Sequence, residues 1–172
     1  MAGAPMEKTV LSLNGQMHPI YEAMSVCSGT IQWLDRQEQE SSDWEFCLQL
    51  TKLGSALEDF IKASRSGQMA ETSKNMLAFA VFCLGTITSM TRLINRRVRE
   101  DLAHRSPRLR QQTEGLLNQV DELTERVDDV MEAWEMSLDD ALTGQIAEAL
   151  KRIDSTKADI PEWRDTLELI SH

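Results

Sequence analysis

Side chains able to do acid–base, nucleophilic or metal chemistry are few in this chain and stand far apart. Its three histidines are His18, His104 and His172, and its three cysteines are Cys27, Cys47 and Cys83. A di-iron carboxylate bundle needs two Glu-x-x-His pairs and two further core glutamates. The nearest match is a single Asp101-Leu-Ala-His104, with Asp in place of Glu, at the end of a helical pattern. A helix-terminal ion pair explains it. No CxxC or Cys/His pair offers zinc spacing, and no Gly-rich phosphate loop, GxSxG or HExxH occurs. Each cysteine is embedded in an apolar helical pattern without a base nearby in sequence, and reads as a reduced buried thiol of a cytoplasmic protein. The first thirty residues lack a basic segment followed by an apolar run, so no cleaved secretion signal is expected. The expectation is a non-enzymatic protein with no metal and no cofactor.

Charge is the pattern that remains. Residues 1–50 carry 2 basic and 7 acidic side chains, residues 51–105 carry 9 and 5, and residues 106–172 carry 7 and 16, for a net charge of −10. The basic zone is concentrated in Arg92, Arg96, Arg97, Arg99, Arg105, Arg108 and Arg110. These form a candidate site for an acidic partner, phosphate or anionic lipid, although cations near a helix C-terminus are also favoured by its macrodipole. From Glu114 to Asp140 only Arg126 opposes ten acidic residues. Glu114, Asp121, Glu122, Glu125, Asp128, Asp129 and Glu132 make a candidate acidic face for a basic partner. With little interleaved aromatic surface and an acidic whole, direct nucleic-acid binding is not expected. Trp33, Trp44, Trp134 and Trp163 read as packing or interface anchors.

The elements that must position these charges are helical. Gly (8) and Pro (4) are scarce, and strong helix formers dominate the composition. A short helix is expected before Asn14-Gly15, and a new one beginning at Pro19 with Ile20, Met24, Cys27, Ile31 and Leu34 on one face. Ser42-Asp-Trp-Glu45 has the form of a capping box for a second long helix, stopped by Ser64-Arg-Ser-Gly67. A third runs from about Met69 to His104. Ser106-Pro107 is a strong start signal for a fourth, with Leu109, Leu116, Leu123 and Val130 at one heptad position and Thr113, Val120, Val127 and Trp134 at the other. At Ser137 to Asp140 the register slips, which predicts a kink or a new helix carrying Leu138, Leu142, Ile146, Leu150 and Ile153. Ile160-Pro161 begins a short last helix with Trp163, Leu167 and Ile170 inward.

The third helix contains seventeen uncharged residues, Asn75 to Thr91. That is close to the roughly 20 a membrane span needs. Its stripe of Met76, Ala80, Cys83, Ile87, Thr91, Ile94, Val98 and Leu102 nevertheless continues through the arginine-rich turns, as in the central helix of a soluble bundle. Ala78, Gly85 and Ser89 form a small-residue ridge that lets a second helix approach closely. The expected fold is therefore all-α, an up-and-down antiparallel helical bundle of four long helices plus short terminal helices. Residues 1–172 are read as one domain. Its expected role is protein–protein interaction, as an adaptor, inhibitor or regulatory bundle, with a homodimer through the heptad helix as one option. The alternative is a membrane-active bundle whose helix 75–91 contacts or enters anionic membranes.

Overall fold

The computed structural model describes the backbone of residues 4–36, 43–66 and 74–152, and side chains of His18 to Arg36, Trp44 to Ser64 and Lys74 to Lys151 except Asn75. All regular structure among these residues is helical: α1 (Ala4–Asp35), α2 (Asp43–Ser66), α3 (Lys74–Leu102), α4 (Pro107–Glu135) and α5 (Asp140–Arg152). The expected capping box at Ser42, the stop at Gly67 and the helix after Ile160 lie wholly or partly outside the described residues.

Two expectations about α1 are corrected. Asn14-Gly15 does not end a helix and Pro19 does not begin one, because α1 runs unbroken for 32 residues with Pro19 inside it. Glycine is permissive in a turn but also adopts helical dihedrals, at about 1 kcal/mol relative to alanine. Proline forfeits one i to i−4 hydrogen bond, at roughly 3 kcal/mol. Burial of Ile20, Ala23, Met24, Cys27, Ile31 and Leu34 along one face opposes these penalties. Local stop signals yield to packing here.

The centre of the fold is α3, packed principally against α1, α4 and α5, while α2 packs against α1 and α4. Every residue from Leu77 to Thr88 is buried; beyond Ser89 only one side remains so, through Met90, Thr91, Leu93, Ile94, Asn95, Val98 and Leu102. The apolar half is thus enclosed on all sides and the arginine-bearing half on one. Within it Thr86, Thr88 and Thr91 return their hydroxyl hydrogens to the carbonyls of Phe82, Gly85 and Thr88 at 3.0, 2.9 and 3.0 Å. These buried polar groups are satisfied inside their own helix.

Long-range contacts give the helix directions. Thr91 meets Thr124 at 3.0 Å and Arg99 meets Asp121, so α3 and α4 are antiparallel. Tyr21 is near enough to Cys83 for their charges to interact and Asp35 meets Arg97, so α1 and α3 run the same way. Trp33 packs edge-on against Phe46 at one end, and Phe60 against Trp134 at the other.

On α4 the fully covered residues are Leu109, Thr113, Leu117, Val120, Leu123, Thr124 and Val127. Leu116, Val130 and Trp134, expected on the seam, are half-buried at its margin. A strict heptad seam serves one neighbour; α4 lies against both α2 and α3 and needs a wider stripe. That stripe is covered within one chain. After Glu135 the helix ends and Asp139 begins α5, accepting from Leu142 N–H at 2.8 Å, so the register slip is a break between two helices.

Candidate interaction surface

The turn between α3 and α4 is built by its own sequence. The N–H groups of Ala103, His104 and Arg105 bond the carbonyls of Arg99, Asp101 and Leu102, winding α3 down. Ser106 then takes an extended conformation (φ −61, ψ 145), its hydroxyl accepts from Leu109 N–H at 3.3 Å, and Pro107 opens α4. This reversal puts six of the seven candidate arginines toward one end of the molecule, while Arg92 sits nearer the middle of α3, opposite Asp128.

The structure divides those seven. Arg92 pairs with Asp128 at 3.1 Å, Arg97 with Asp35 at 2.8 Å, and Arg99 with Asp121 at 3.3 Å. Arg105 lies over the ring of Phe46, 4.7 Å from its centroid, a cation–π contact that ties the turn to α2. Arg96, Arg108 and Arg110 are exposed and make no ion pair among the described residues. Between the two helices lies an open cleft of about 480 Å³, with Leu102, Ala103, Pro107 and Leu117 as apolar walls and Arg99, Arg110, Gln111 and Glu114 as polar ones. Arg96 and Arg97 line a second cleft of about 500 Å³ with Asp35, Leu93 and Glu100. At the same end Trp44, in the first turn of α2, is 68 % exposed.

The acidic face divides similarly. Asp121 and Asp128 turn toward α3 to meet Arg99 and Arg92, and Glu122 pairs along its own helix with Arg126 at 2.9 Å. Glu114, Glu125, Asp129 and Glu132 are exposed without an ion pair among the described residues. Crowding of carboxylates continues to the end of α4, where burial first, then Glu132 and Asp128, raise the Glu135 carboxyl above its ordinary value.

Sequence reasoning missed Asn95. It is 5 % exposed, its amide nitrogen donates to Asp121 Oδ1 at 2.6 Å and to the Leu117 carbonyl at 3.2 Å, and its oxygen accepts from Arg99 Nε at 2.6 Å. The signal was an uncharged amide next to the stripe, beside Thr91, Ile94 and Val98, in a half of α3 otherwise studded with arginines. Among the described residues no group of three or more His, Cys, Asp or Glu side chains converges as a metal-ligand set. Cys27 and Cys83 are buried and Cys47 is half-buried, all as free thiols.

Fold and surface together define an all-α protein with a charged helix-hairpin end. The chain matches no protein-family model, no curated protein and no solved structure.

Proposed function

We propose that the chain is a non-enzymatic interaction module, an adaptor, inhibitor or regulatory bundle of the cytoplasm. Its basic end would engage an acidic segment of a partner protein. The four long helices are taken as an up-and-down bundle, a reading supported by the antiparallel α3–α4 pairing and by the shared direction of α1 and α3. One observation carries the functional reading. Arg96, Arg108 and Arg110 stand exposed and without an ion pair among the described residues; Arg110 lines the partly apolar cleft between α3 and α4, Arg96 lines the second cleft, and Trp44 is exposed at the same end, on a chain of net charge −10. Arginines that make no ion pair contribute little to stability and leave their charge for a ligand. The exposed Glu114, Glu125, Asp129 and Glu132 offer the same arrangement, with opposite sign, to a basic partner.

The test is fluorescence anisotropy of a labelled acidic amphipathic peptide against the wild type and a triple Arg96→Glu, Arg108→Glu, Arg110→Glu variant. Salt-dependent binding that the variant weakens at least about tenfold supports the reading. Equal binding by both proteins, or none at low salt, removes it.

A second reading, membrane contact, has its own observation. Met76–Leu102 is long and apolar enough to cross a membrane by length and composition, though 89 % of its most apolar 18-residue window is buried in the fold. The buried threonines of the uncharged stretch 75–91 bond to their own helix, so that part of α3 would carry few unsatisfied groups into lipid. Flotation with anionic vesicles at low and high salt separates the two readings: recovery of protein with the vesicles favours this one, and its absence at low salt removes it.

A further inference from the structure

The joint between α4 and α5 contains no residue that compels a break. From Trp134 to Thr143 there is neither glycine nor proline, and no described residue has a positive φ. Met136 is right-handed helical (φ −61, ψ −21). The N–H groups of Met136, Ser137 and Leu138 still bond backward, to Glu132, Trp134 and Glu135 at 3.2, 3.1 and 2.9 Å, the last two as tightened three-residue turns. Two features hold α5 apart from α4. The Asp139 carboxylate caps α5, and the apolar side of α5 is seated on α3.

That seat is specific in shape. A Cβ placed on Gly85 would lie 2.8 Å from Leu150 Cδ1, so the missing side chain of α3 is the recess that Leu150 occupies. Ile146 and Ala149 are buried in the same contact side of α5. The recess recognises the face of α5 and does not require that α5 belong to the same chain. Met136, at the joint, is 87 % exposed, the greatest exposure of a large hydrophobic residue among those described.

We propose that two copies of the chain exchange α5. In the exchanged form α4 and α5 join into one helix through residues 136–139, and the α5 of each copy takes the seat around Gly85 on the other. Every contact of the seat is retained. The joint gains regular helical hydrogen bonds, and the two ends carrying Met136 are brought together and covered. The cost is loss of the Asp139 cap, of the packing of half-buried Leu138 at the joint, and of the freedom of two separate molecules. A short joint favours such exchange. The proposal is independent of the anion-binding reading, whose arginines lie at the opposite end of α4.

Light scattering after size exclusion, with native mass spectrometry, tests this on the full chain over a dilution series. Asp139→Ala removes the cap that only the closed joint uses, in each of two chains, and is expected to raise the dimerisation constant roughly 30-fold. Asp140→Pro fits the first position of α5 but forbids a helix running through it. It is expected to abolish the dimer while circular dichroism stays unchanged. Mixed isotope-labelled and unlabelled Asp139→Ala chains are expected to form a heterodimer. If Asp139→Ala stays monomeric to about 1 mM, or its dimer survives addition of Asp140→Pro, the exchange does not occur.

Discussion

Asn95 on α3 and Asp121 on α4 are joined by a 2.6 Å hydrogen bond at the edge of the contact between the two helices. Asn95 also bonds the Leu117 carbonyl and receives Arg99, which reaches Asp121 in turn at 3.3 Å. One amide thus fixes the register of two helices and orients an arginine. Asp121 alone would be an exposed carboxylate with an exposed partner, worth little; the buried amide gives the cluster its geometry.

Asn95→Ala therefore removes three hydrogen bonds from a site that is partly dry, and is expected to cost about 2 kcal/mol in urea unfolding. Asn95→Asp is nearly isosteric but sets a second carboxylate against Asp121. It is expected to be destabilised at neutral pH and to recover relative to wild type on acidification, once one of the pair takes a proton. A pH-independent loss would show that packing, not charge, dominates the site.

Ser106 accepts the Leu109 N–H ahead of Pro107, which places the arginine-bearing start of α4. Ser106→Ala is expected to cost about 1 kcal/mol. Amide exchange should quicken in the first turn of α4 and remain unchanged at Val120 and Val127. Uniform quickening would mean that the serine stabilises the whole fold.

How far the fold was legible depends on whether a feature is local. Ser106-Pro107 carries its meaning within four residues, so the α3–α4 turn could be read directly. The enclosure of Leu77 to Thr88 was legible because an apolar surface on all sides of a helix demands neighbours on all sides. Asn14-Gly15 and Pro19 misled because a weak stop is decided by packing further along, on Ile20 to Leu34. Leu117 replaced Leu116 in the core because α4 lies against two helices, which its own periodicity does not record. At the candidate surface, the run of arginines was visible, but its division into paired and unpaired members was not. Asp35 is 62 positions from Arg97 in sequence and 2.8 Å from it in space.

Gly85 was expected on a close-packing ridge, and Leu150 of α5 occupies it. Gly85→Ala is expected to be nearly neutral: the gain in helix propensity, about 1 kcal/mol, offsets a small displacement of the flexible Leu150 tip. Gly85→Val adds methyls that Leu150 cannot clear, and is expected to lift α5 at a local cost of roughly 1–3 kcal/mol. Limited proteolysis should then cut near Met136 while the α1–α4 fragment keeps its helicity. Unchanged protease resistance would place Leu150 elsewhere.

Cys27 is completely buried in the α1 face of the core, and burial pushes its thiol up to about 12 from an ordinary 9.0. Cys83 on α3 is raised for the same reason. Between those two values the unfolded chain releases a proton that the folded chain keeps, so the unfolded state binds fewer protons and stability falls as pH rises. The contribution of Cys27 is complete below pH 9 and declines toward 12, at up to about 1.4 kcal/mol per pH unit. Between pH 8 and 10 the wild type is expected to lose about 1.4 kcal/mol more than Cys27→Ala, whose own packing loss is the same at both pH values. Reversible urea unfolding of both proteins measures this difference. Parallel pH dependence in the two would mean that the Cys27 thiol ionises as readily folded as unfolded, and that the α1–α3 contact admits water.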